Sequence, residues 1–138
     1  MKGDSMTHEI LHCDELSAPV GVFVQAARIP AGSDVVHVSG LTSRAADGST
    51  FAPGDIKAQT RHILENLKKI LAEAGATLED VAKVTVYITD MGDFDAIHEI
   101  RRECFTATRP ASTMVEVSRL VNDDMLIEIE AIAYIQAQ

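Results

Sequence analysis

Tryptophan is absent, there are only two tyrosines and four phenylalanines, and cysteine occurs twice. With 12 basic against 21 acidic residues and a formal net charge of −9, the chain lacks the basic, aromatic-bearing surface that RNA and DNA binding draw on. No nucleic-acid partner is expected. No apolar run approaches the ~20 residues of a membrane span, and the N-terminus lacks the charged-then-apolar layout of a signal peptide. No membrane partner is expected either. Cys13 and Cys104 fall in different expected elements with no CxxC spacing, which argues against a disulfide framework or a zinc site and points to a reducing cytoplasm. The histidines, His8, His12, His37, His62 and His98, are scattered over separate elements. They give no metal-ligand spacing.

What is present suits one folded domain. A chain of 138 residues, 46% of them hydrophobic, can bury a core without covalent staples. Residues 1–6 (MKGDSM) are set aside as a disordered end or an expression remnant, and 7–138 are taken as a single domain. His8–His12 and Val22–Ala27 read as short strands, and Asp34–Ser39 (DVVHVS) as a third, closed by Gly40. The Thr, Ser, Asp, Gly and Pro of Leu41–Gly54 make a loop.

The spacing predicts a helix over Ile56–Ala74, with Ile56, Thr60, Ile63, Leu64, Leu67, Ile70, Leu71 and Ala74 on one stripe, Asp55 as N-cap and Gly75 as the stop. Thr77 and Asp80 form a capping-box pattern for one turn. Lys83–Thr89 alternates Val84, Val86 and Ile88 inward, as a half-buried strand does. Asp93 can cap a second helix reaching Phe105, with Phe94, Ile97, Ile100, Cys104 and Phe105 toward the core and Arg101 and Arg102 on a solvated face.

Two extended segments follow, Thr113–Ser118 and Met125–Tyr134. The polar turn at Asn122–Asp124 between them predicts a hairpin. Along the last strand Ile127, Ile129, Ala131 and Ala133 share one face, and Glu128, Glu130, Ile132 and Tyr134 the other. Two helices with one apolar stripe each cover only one face of such a sheet. The other face, half apolar, calls for a second copy of the chain.

The runs DIKAQTRHILENLKKILAEAGATLEDVAKVTVYITDMGDF, RPASTMVEVSRL and IEIEAIA resemble the Rid/YjgF family of enamine and imine deaminases over most of the chain. Val38–Phe51, followed by DIKAQT, is similar to 2-aminomuconate deaminases of aromatic catabolism. The resemblance implies a chorismate-mutase-like α+β fold in which two helices pack on one face of a mixed β-sheet. It also implies a homotrimer with a central β-barrel, a ligand cleft between subunits, and hydrolysis of C=N or enamine bonds with no cofactor and no metal.

Site residues implied by the resemblance are Glu128, which handles the attacking water, and Ser39 and Gly40, whose backbone borders the cleft. Phe23 replaces a tyrosine, His98 and Arg101 replace an asparagine and a tyrosine, and Met114 replaces a cysteine. Phe94 is expected as core or pocket wall. Ser112, in Pro110-Ala111-Ser112-Thr113, stands where the family carries the arginine that grips a substrate carboxylate. Arg44, Arg101 or Arg109 could supply the missing charge. Three functions stay open: a deaminase of a small-molecule enamine or imine, a non-catalytic small-molecule-binding trimer and, least favoured by the acidic balance, an endoribonuclease.

Overall fold

The computed structural model describes residues 8–107 and 109–136; the segment 1–6 set aside above lies outside them. Eight main elements follow one another: β1 (Glu9–Leu11), β2 (Ala26–Arg28), β3 (Ser33–Thr42), α1 (Ile56–Glu73), β4 (Val81–Ile88), α2 (Phe94–Cys104), β5 (Ala111–Glu116) and β6 (Ile127–Gln136). β1 and β2 pair as a small antiparallel ribbon, and the main sheet has the order β3-β6-β4-β5. β6 is antiparallel to both of its neighbours, whereas β5 runs parallel to β4. This is the α+β arrangement expected, two helices packed on a mixed sheet.

α1 forms where the sequence places it. Asp55 accepts from the Ala58 amide, and Gly75 turns at φ 73° just past the helix, a conformation glycine adopts without the Cβ penalty. Ile63, Leu64, Leu67 and Leu71 are fully buried, but Ile70 is 40% exposed and Gln59 takes a core position. Gln59 donates to the carbonyls of Ala52 and Asp124 and accepts from the Leu126 amide. A buried amide with its hydrogen bonds made thus ties α1 to the segment entering β6. Thr77 and Asp80 form the expected capping box, and Val84, Val86 and Ile88 of β4 face the core.

The hairpin is not formed. β5 and β6 do not touch as neighbours, because β4 lies between them and pairs with both. β4, α2 and β5 form a crossover unit, and the helical connection lets β5 return parallel to β4. β3 does not stop at Gly40 but runs to Thr42, with its register to β6 slipping between Val38 and Leu41. β2 starts later than expected, and Val24 makes only an isolated bridge to Ala111. Asp93 precedes α2 without a side-chain cap bond; Asp90 caps the preceding 3₁₀ turn through the Gly92 amide. Arg101 is not on a solvated face: it is 1% exposed.

On β6, Ile127, Ile129, Ala131 and Ala133 lie in the core. Glu128, Glu130, Ile132 and Tyr134 alternate with them onto the sheet face that carries no helix, where Val35 and Val115 are exposed. Replacing Gln59 by Leu keeps the volume but leaves the Leu126 amide without its side-chain acceptor and Asp124 O without its donor. We expect a loss of roughly 2–4 kcal/mol in unfolding free energy, read from urea denaturation at fixed protein concentration.

Candidate active site

The expected site residues divide into two groups on opposite faces of the sheet. On the face without helices, Glu128 lies opposite Tyr87 of β4 and Thr42 of β3. Its carboxylate rests against the backbone at Gly40, where an added Cβ would come within 2.0 Å of Glu128 Oε2. With the Glu128 side chain in this position, only a residue without a side chain leaves that space. The slipped register at Ser39 and Gly40 removes two residues from regular pairing beside this carboxylate. Glu130 accepts a hydrogen bond of 3.1 Å from the Tyr87 hydroxyl. This bond, then burial and the nearby charges of Glu130 and Glu128, holds the phenol above its usual range.

On the helix side, at the β5 edge, a cavity of about 190 Å³ is lined by Val20, Phe23, Phe94, His98, Arg101, Ser112 and Met114. Five of the residues expected from sequence, Phe23, Phe94, Arg101, Ser112 and Met114, meet here. Ser112 and Met114 reach it because they pair with Val84 and Val86, whose side chains face the core. α2 brings Phe94, His98 and Arg101 to one side by their spacing of four and three residues. Arg101 Nη2 donates to Val22 O at 2.9 Å, while its Nη1 is buried with no partner. Burial lowers the guanidinium to about 10. It stays protonated at neutral pH.

His98 is 2% exposed and stacks on Phe94 with ring centroids 4.1 Å apart. Its Nδ1 lies 3.0 Å from Phe94 O. A carbonyl only accepts, so Nδ1 carries the hydrogen and Nε2 of the neutral ring is an acceptor. Nε2 has no partner. Burial lowers the imidazole below its usual range, and the charges of Arg101 and Arg102 add to the effect against the bond to Phe94 and the charge of Asp95. The neutral ring is the resting form.

Arg44 does not join either group. It is exposed and returns its Nη1 to Gly48 O in its own loop. Arg109 is also exposed. A larger cavity of about 460 Å³, between the C-terminal ends of α1 and α2, collects none of the expected residues. The sequence reading gave His98 as a replaced position and as one of the scattered histidines, and missed its unpaired nitrogen. The signal was the helical spacing of Phe94, His98 and Arg101, which puts two polar side chains on the same stripe as an aromatic ring.

The family model described as Endoribonuclease L-PSP matches residues 12–135. The chain belongs to the Rid/YjgF family. Among relatives of this Rid protein, a RutC family protein of Pyrococcus abyssi is 42% identical over 129 residues, covering 94% of this chain and 98% of the relative. The 3-aminoacrylate deaminase RutC of Acinetobacter baylyi is 35% identical, covering 94% and 100%. A solved structure of the Rid family protein YyfB from Yersinia pestis superposes with a TM-score of 0.84 at 29% identity, covering 93% of this chain and 98% of that one.

His98 binds a proton more weakly folded than unfolded, so below about pH 6.5 the unfolded chain takes up more protons. Stability therefore falls as pH drops from about 6.5 toward the lowered folded value. His8, also lowered by burial, acts in the same direction. Thermal melts from pH 7 to 5 are expected to show a declining Tm, with a shallower decline in His98→Gln.

Proposed function

We propose that this Rid protein is a cofactor-free deaminase that hydrolyses a small enamine or imine to a carbonyl compound and ammonia, working as a homotrimer. The observation that carries the reading is Glu128: a half-buried carboxylate held by the central strand against the side-chain-free backbone of Gly40, on a sheet face no helix covers. The relative named 3-aminoacrylate deaminase, 35% identical over nearly the full chain, supports the same class.

The chemistry needs little machinery. Glu128 takes a proton from a water molecule as its oxygen attacks the carbon of the protonated C=N group, giving a neutral tetrahedral amino alcohol. The carboxyl group returns that proton to nitrogen, and the carboxylate then takes the hydroxyl proton as the C–N bond breaks, so that ammonia leaves and the carbonyl forms. An enamine is first protonated at carbon by the same acid. A general acid/base in this role contributes typically 10²–10⁴-fold.

In a trimer, the face bearing Glu128 meets the cavity edge of a neighbouring copy, which closes the cleft against water and covers Val35 and Val115. Candidate substrates are three-carbon acids such as 2-iminopropanoate and 3-aminoacrylate, and 2-aminomuconate from aromatic breakdown. A non-catalytic binding trimer is the second reading, and the serine at position 112 is what favours it. Ammonia release from freshly generated 2-iminopropanoate, 3-aminoacrylate and 2-aminomuconate separates the two. We expect release above the spontaneous rate from at least one, reduced roughly 10²-fold or more by Glu128→Gln. A wild-type rate equal to the blank on all three would leave the binding reading.

A further inference from the structure

The side chain at position 112 cannot hold a carboxylate by charge, yet the wall beside it carries a cation with nothing to neutralise it. Arg101 is 1% exposed, and among the described residues no carboxylate pairs with it and its guanidinium makes one hydrogen bond, from Nη2 to Val22 O. Burying a cation without a counter-ion is costly. Such a group is stabilised by an anion that arrives from outside. Next to it, His98 Nε2 is an acceptor equally without a partner.

We propose that Arg101 is the carboxylate anchor of this site, and that His98 Nε2 accepts the hydrogen on the nitrogen next to that carboxylate. The inference deepens the deaminase reading and rests on it for the kind of anion. An unpaired donor cation and an unpaired acceptor on one wall are complementary to an acid whose neighbouring atom bears N–H, which is the 2-imino or 2-amino acid pattern. The Ser112 hydroxyl can add a hydrogen bond to the carboxylate.

Size points the same way. A cavity of about 190 Å³ is small and suits a three-carbon acid better than a longer one. A six-carbon diacid would have to extend beyond it.

Gly21 and Val22 close over both groups. A Cβ at Gly21 would fall 2.1 Å from His98 Nε2, and the Val22 carbonyl caps Arg101. Entry of the anion therefore shifts this pair of residues. The backbone amides of Gly21 and Val22 report it.

Alanine, a stable acid with the three-carbon skeleton of 2-iminopropanoate and N–H groups on the nitrogen next to its carboxylate, is the probe, titrated into ¹⁵N-labelled full-length protein. Binding is read without turnover, so it stands or falls separately from the ammonia assay. We expect saturable shifts of the Gly21 and Val22 amides, with affinity weakened about ten- to a hundredfold by Arg101→Met. Removing a buried arginine can perturb folding, so Ser112→Glu is the second variant. It leaves Arg101 in place and offers it an internal carboxylate, and it is expected to weaken alanine binding by a similar factor. Unchanged affinity in folded Arg101→Met or in Ser112→Glu, or no saturable shift in the wild type, overturns the proposal.

Discussion

A strand can show a given side chain to only one face, and β6 is the middle of this fold. Its alternation buries Ile127, Ile129, Ala131 and Ala133 under the helices, and by the same geometry sends Glu128 to the other face. The cavity holding Arg101, His98 and Ser112 lies on the helix side. No side-chain rotation brings these groups together within one chain. On the reading proposed above, the reacting centre exists only where the open face of one copy meets the cavity edge of the next. The half-apolar composition of that face then serves assembly and chemistry together.

The parts of the fold legible in sequence are those set by local pattern. Asp55, the apolar stripe of α1 and Gly75 mark one helix, the Thr77–Asp80 box marks a turn, and strict alternation marks β4 and β6. Pairing was not legible. Asn122–Asp124 has the composition of a hairpin turn, but whether two strands on either side of a turn become neighbours depends on what inserts between them. Here β4 does, held to β6 by antiparallel pairing and to β5 by parallel pairing. Arg101 was misread, and Gln59 was left unassigned, for a related reason. Helical periodicity assigns a polar residue to the solvent side unless a remote partner claims it, and the partners are Leu126 and Val22, distant in sequence.

At the site, the resemblance named most of the cavity wall but not how its charges are arranged. Glu128 and Gly40 proved to be in contact, which the family pattern does not state, and Phe23, Phe94, Ser112 and Met114 line one cavity. Of the three arginines that could replace the one missing at 112, Arg44 and Arg109 are exposed, and only Arg101 combines burial with an unpaired nitrogen. On the anchor proposed above, the cation sits on a helix rather than on the strand, which changes the direction from which an acid is held and the part of it that faces a neighbouring copy's carboxylate. Substrate preference would then follow from that displacement more than from the fold, which many activities can share.

The central claim is that each site takes its carboxylate from one copy and its anchor from another, and subunit complementation tests it most directly. Glu128→Gln and Arg101→Met proteins, each expected at about a tenth of the wild-type rate or less at subsaturating substrate, are denatured together in equal amounts and refolded. In a cyclic trimer every mixed ring regains one intact site, so random mixing predicts recovery of roughly a quarter of the wild-type ammonia-release rate. Recovery no higher than the two variants refolded separately would contradict the shared site.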